Sequence, residues 1–141
     1  MSSQPEFMIA KCHVGSAAED PNYRQALRCG RHEMLADERP ARGGADMGPM
    51  PFEYVLSGLG ACTSITLRMY AQRKGWQIGA VSVSLALHRR DDEFRIERRV
   101  TLSAPLSAEQ REKLAEICEK TPVTLAIRAG MTIRTALEGQ T

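Results

Sequence analysis

The sequence predicts an α+β chain, on three observations: strand-like runs in the first forty residues, one long apolar helix from Pro51, and a later hairpin followed by a second helix. That order, strands then helix, hairpin, helix and strand, is not the repeated alternation of a βαβ series. At 141 residues the chain is one domain's worth, so residues 1–141 are read as a single domain with residues 1–5 lacking order.

The elements follow in turn. Residues 7–14, 23–29 and 32–36 read as short strands, with Asp20-Pro21-Asn22 and Gly30 supplying turn chemistry between them. Residues 37–51 are rich in Pro, Gly and charge, and a loop of that length in a compact domain is often functional. Residues 52–74 then hold Phe52, Val55, Leu59, Cys62, Ile65, Leu67 and Met69, with Pro51 at the first helical position and Gly75 just past the end. Gly58 and Gly60 each cost that helix about 1 kcal/mol relative to Ala and mark either close packing or a kink.

Val81, Val83, Leu85 and Leu87 alternate with small residues as a half-buried strand. Ile96, Val100 and Leu102 continue the period, with Arg98 intruding on the apolar side. Residues 88–93, with His88, form the expected hairpin tip. Ser107 and Gln110 make a capping box for a helix whose inner face is Leu114, Ile117 and Cys118. Pro122 interrupts it, residues 123–127 add a turn, and Met131, Ile133, Thr135 and Leu137 alternate as a last strand. Trp76 is expected to cap the long helix by packing.

Composition narrows the function classes. A net charge of +2, with acids and bases interleaved as in Glu97-Arg98-Arg99, argues against nucleic acid as a partner. No run nears the roughly 18 apolar residues of a membrane span, and the first residues lack a signal peptide's pattern. A cytoplasmic location is therefore expected, where Cys12, Cys29, Cys62 and Cys118 stay thiols. Cys12-His13 and Cys29 with His32 would form an N/S metal site only if the first strands pair, and neither spacing is a known knuckle, so no metal and no cofactor is expected.

A helix this apolar all round needs cover on every side, which the remaining elements do not supply. A homodimer with its two long helices packed together is the expected solution. Cys62 is the candidate reactive thiol, since thiolate chemistry needs a lowered pKa. An unbroken helix leaves Cys62 three turns from the favourable N-terminus, whereas a break at Gly58 or Gly60 would put it near a new one. Sequence leaves both open, along with a buried, inert Cys62.

The stretch from Gly48-Pro49-Met50-Pro51-Phe52-Glu53 through Leu59-Gly60-Ala61-Cys62-Thr63-Ser64 to Trp76 resembles the OsmC/Ohr superfamily of osmotically inducible and organic-hydroperoxide-resistance proteins. Gly43-Gly44-Ala45-Asp46 and Thr121-Pro122-Val123 extend the likeness, which covers about residues 23–137. The resemblance implies an intertwined homodimer with antiparallel sheets around two central helices. It also implies thiol-dependent reduction of organic hydroperoxides by Cys62, a second cysteine that resolves the sulfenic acid, and a dithiol reductant. An arginine held by a carboxylate would favour the thiolate. Glu53 and Arg24 are the candidates, with Arg28, Arg31 and Arg39 as alternatives for the arginine.

Two departures stand out. Thr121 occupies the resolving position, which leaves Cys118, three residues earlier, as the possible resolving thiol or as core filler. Glu53 lies nine residues before Cys62 where the hydroperoxide-resistance branch has ten, so on a straight helix it points the opposite way. The alternative function is a non-peroxidatic dimer that binds an apolar small molecule or senses redox state.

Overall fold

The structure, a computed structural model, describes residues 3–139. Of residues 1–5, expected to lack order, Met1 and Ser2 lie outside the described residues; residues 3–5 are exposed and outside any element. The elements run β1 (His13–Gly15), β2 (Gln25–Cys29), β3 (His32–Ala36), a 3-10 turn (Pro40–Arg42), α1 (Pro51–Lys74), β4 (Val81–Arg90), β5 (Glu93–Leu102), α2 (Ala108–Cys118) and α3 (Pro122–Ala129). Helices and antiparallel sheets make this an α+β fold. The chain forms two compact units that divide between Val55 and Leu56, inside α1.

The first unit is a β1-β2-β3 meander. Its register sets Val14 opposite Leu27 and Leu27 opposite Met34, so alternation places these three on one face. Gly30 begins the two-residue β2–β3 turn at φ +62°, a conformation that only glycine adopts without cost. The long loop after β3 is ordered by Asp37, whose carboxylate accepts the backbone N–H of Glu38 at 2.7 Å and of Met47 at 3.1 Å. Within it, a side chain at Gly44 would run into the Glu38 carbonyl. The Tyr54 hydroxyl donates to the Leu35 carbonyl at 2.5 Å and ties the start of α1 to β3.

The second unit packs the rest of α1, the β4–β5 hairpin, α2 and α3. Leu67, Ala71, Ile78 and Leu114 are its buried centre, with Trp76, Val81, Val100, Leu102 and Ile117 against them. The buried residues of α1, Leu59, Gly60, Thr63, Leu67 and Ala71, follow a four-residue spacing from Leu59 with Gly60 beside it and define one inner face. At Gly60 the helix runs close to β4: a Cβ there would come within 2.8 Å of Leu85 Cδ1 and displace the end of that side chain. The helix ends as expected, with Gly75 at φ +71°. Gly75 N–H bonds the Gln72 carbonyl and Trp76 N–H the Ala71 carbonyl, a Schellman cap. The Trp76 ring meets Tyr70 edge-on at 5.7 Å. The Ser107–Gln110 capping box forms as read from sequence.

Three elements differ from expectation. The first strand pairs only at His13–Gly15, because β2 ends at Cys29 and offers residues 7–11 no partner. The hairpin turn is just Asp91-Asp92, with Arg90 opposite Glu93, so His88 sits inside β4 rather than at the tip. Residues 131–137 form no strand: Ile133 and Leu137 are 85% and 99% exposed, and alternation alone makes no strand without pairing to a neighbour.

Candidate functional site: a half-buried thiol and a buried arginine network

Cys62 sits half-buried in the middle of α1, its Sγ 3.9 Å from the Thr66 hydroxyl one turn on. The helix is unbroken through Gly58 and Gly60, so Cys62 lies about 16 Å along the axis from its first residue. Helix-terminal stabilisation fades within the first turn, so it does not reach Cys62. The kink that would have turned Glu53 toward Cys62 does not form either.

Thr63, the next residue, faces inward and is fully buried. Its hydroxyl donates to the Leu59 carbonyl at 2.7 Å and accepts from Arg98 Nη1 at 2.9 Å. Arg98 projects from the inner face of β5 with its side chain only 12% exposed. The same Nη1 donates to Thr124 Oγ1, and Nη2 to the Cys118 carbonyl, each at 2.9 Å. Glu119 Oε2, 3.7 Å away, supplies the countercharge and also binds Arg128. A guanidinium at the last carbonyls of α2 is placed where the helix dipole favours it. Sequence reasoning marked Arg98 only as an intruder in an apolar alternation. That irregularity was the signal, because a charge on a core face needs several partners to be tolerated.

Thr121, at the resolving-cysteine position, is buried as the N-cap of α3. Its hydroxyl accepts the Thr124 N–H at 3.2 Å and bonds the Thr124 hydroxyl at 2.6 Å. Cys118 packs against the Leu67–Leu114 core. Burial pushes its thiol above the ordinary range, with Arg98 pulling down and Glu119 pushing up. A cavity of about 520 Å³ opens beside Arg98, with Leu59, Leu87, Phe94, Ile96 and Ile127 on its apolar side and Glu119, Thr124 and Arg128 on its polar side.

In the first unit, Glu53 Oε2 pairs with Arg39 Nη2 at 3.3 Å, and its other oxygen accepts the Met50 N–H at 2.8 Å. Glu53 therefore serves as a first-turn helix carboxylate and as an arginine partner at once. Arg24 instead pairs with Asp20 at 2.7 Å. Among the described residues, no group of three or more His, Cys, Asp or Glu is arranged to hold a metal, and all four cysteines are free thiols. No described helix is long and apolar enough to cross a membrane.

A small α+β protein with one half-exposed thiol in the middle of its longest helix is the class that these features define. The chain belongs to the OsmC-like family, whose model, "OsmC-like protein", matches residues 43–136. Solved structures share the fold. An OsmC-like protein from Mycoplasma pneumoniae superposes with a TM-score of 0.72 at 16% identity, over 86% of this chain and 88% of that one. An organic hydroperoxide resistance protein OsmC from Legionella pneumophila gives 0.62 at 16%, over 86% and 92%. The organic hydroperoxide resistance protein OhrB of Bacillus subtilis gives 0.58 at 19%, over 86% and 91%. No curated protein matches the chain in sequence.

Proposed function

We propose that this chain is a homodimeric, cytoplasmic thiol peroxidase that reduces organic hydroperoxides through Cys62 in a one-cysteine cycle. The observation that carries the reading is the intact family motif around a half-exposed Cys62, in a chain that keeps no thiol at Thr121. The Cys62 thiolate attacks the distal peroxide oxygen, the O–O bond breaks, and the alcohol leaves with a proton as Cys62 becomes a sulfenic acid. An external thiol condenses with it, releasing water, and a second thiol of a dithiol reductant restores Cys62 as the reductant closes its own disulfide. Cys118 is a poor resolving group, since its thiol is packed on the core and held protonated by burial. The Arg39–Glu53 pair is the candidate for the family's arginine–carboxylate pair.

The dimer rests on the outer face of α1. Ile65 and Met69 are 53% and 52% exposed and lie four residues apart on that face. That is the seam spacing of paired helices, and a second copy would cover it. Turnover of cumene hydroperoxide with dihydrolipoamide tests the enzyme. Cys62→Ser is expected to abolish it, and a Cys62→Ser protein working at the parental rate refutes it.

One observation favours a binding role instead: the cavity beside Arg98, with an apolar wall facing Arg98, Arg128 and Glu119, has room for a small, largely apolar molecule. No peroxide turnover, together with a ligand that co-purifies with the native protein and is lost in Arg98→Met, would support that reading over the enzyme.

A further inference from the structure

We infer that Cys12 and Cys29 form a second, independent redox site: a cross-strand dithiol that closes to a disulfide by exchange with a low-molecular-weight disulfide. The argument begins with register. β1 and β2 pair His13 with Arg28, so the next rung sets Cys12 opposite Cys29. β2 and β3 pair Cys29 with His32 across a two-residue turn. Residues flanking such a turn exchange hydrogen bonds with each other, so the Cys29 N–H and C=O point toward β3.

Toward β1, Cys29 is therefore at a non-hydrogen-bonded rung, where opposed Cα atoms lie about 4.5 Å apart and side chains are closest. A disulfide needs Cα atoms about 4.4–6.8 Å apart, so continuing the ladder by one rung past His13 and Arg28 brings the two cysteines within that range. Cys12 acts on its neighbour: hydrogen bonding to it, then burial, holds the Cys29 thiol above its ordinary range. Cys12 is exposed and Cys29 half-buried, so the outer thiol is reached first.

The exchange balances in two steps. The Cys12 thiolate attacks one sulfur of the oxidant disulfide and releases one thiolate of the small molecule. The Cys29 thiolate then attacks Cys12 Sγ in that mixed disulfide and releases the second. Two protein thiols are oxidised, one external disulfide is reduced to two thiols, and the protons lost by Cys12 and Cys29 end on those thiols. An exposed disulfide of this kind is reversible by the same chemistry.

The test is peptide mapping of the full-length protein equilibrated with oxidised and reduced glutathione at graded ratios, quenched in acid, alkylated and digested with trypsin. The expected product is residues 12–24 joined to residues 29–31, two mass units below the sum of the reduced peptides, and reversed by excess reduced glutathione. In Cys12→Ser the joined peptide is lost and Cys29 is alkylated; Cys12 lies outside the strand, so the fold is kept. Glutathione standing on Cys12 with no joined peptide at any ratio would overturn the proposal, as would Cys12 joined only to Cys12 of a second chain.

Discussion

Arg98 Nη1 donates to Thr63 Oγ1 at 2.9 Å, from the middle of β5 to the residue that follows Cys62 on α1. The same guanidinium reaches Thr124 and the last turn of α2, so one side chain holds three helices to the sheet. The rigidity of α1 around Cys62 is thereby linked to α2 and α3, the elements that carry Cys118 and Thr121.

Replacing Arg98 by Ala strips Thr63, Thr124 and the Cys118 carbonyl of a charged donor and leaves Glu119 its Arg128 contact. A loss of about 2–4 kcal/mol is expected in urea unfolding. Arg98→Lys is expected to recover only part of it, because an ammonium cannot span the same fork of acceptors.

Cys118 is expected to alkylate slowly at neutral pH and to accelerate only well above the ordinary thiol range, since burial favours its uncharged form. Arg98→Ala should push its titration higher still, because Arg98 is the neighbour that pulls it down. Iodoacetamide labelling across pH, read at the Cys118 peptide, measures both. Fast labelling at pH 7 would show the packing around Cys118 to be looser than described.

Asp37 supplies an acid-sensitive element. Burial pushes its carboxyl up, but the N–H groups of Glu38, Met47 and Ala45 outweigh that and hold it below its ordinary value of 3.8. A depressed carboxylate contributes stability that is complete above the unfolded value and is lost as pH falls through the folded one. Urea midpoints measured from pH 5 downward are therefore expected to fall more steeply in the parent than in Asp37→Asn. Equal slopes would remove Asp37 from the account of acid unfolding.

Ile65→Glu places a carboxylate on the outer face of α1. If a second copy covers that face, each half-exposed Ile65 forfeits roughly 1–1.5 kcal/mol of apolar burial, about 2–3 kcal/mol per dimer and on the order of a hundredfold in dissociation constant. Light scattering after size exclusion at micromolar concentration is expected to show the parent as dimer and the variant as monomer. A monomeric parent would refute the dimer.

The cues that could be read from the chain were local. Pro51 and Gly75 bracketed α1 because a missing N–H and a positive φ act at the residue itself. The Ser107–Gln110 box marked the start of α2 because its two bonds close within one turn. The run around Cys62 carried the family likeness for the same reason, since neighbours in sequence stay neighbours on one helix. Alternation failed where no pairing formed: residues 131–137 have the pattern of a strand but lie on no sheet edge, and residues 7–11 extend past the end of β2.

From residue order alone came the α+β class, the helix that carries Cys62, and the missing thiol at Thr121. Tertiary structure decided that α1 runs unbroken, that Glu53 pairs with Arg39 while Arg24 pairs with Asp20, and that Arg98 is sunk among three helices. Capping and periodicity depend on residues within a turn or two of each other. The bond from Arg98 to Thr63 joins side chains 35 positions apart, and which donor meets which acceptor over that span is set by how the sheet and helices pack.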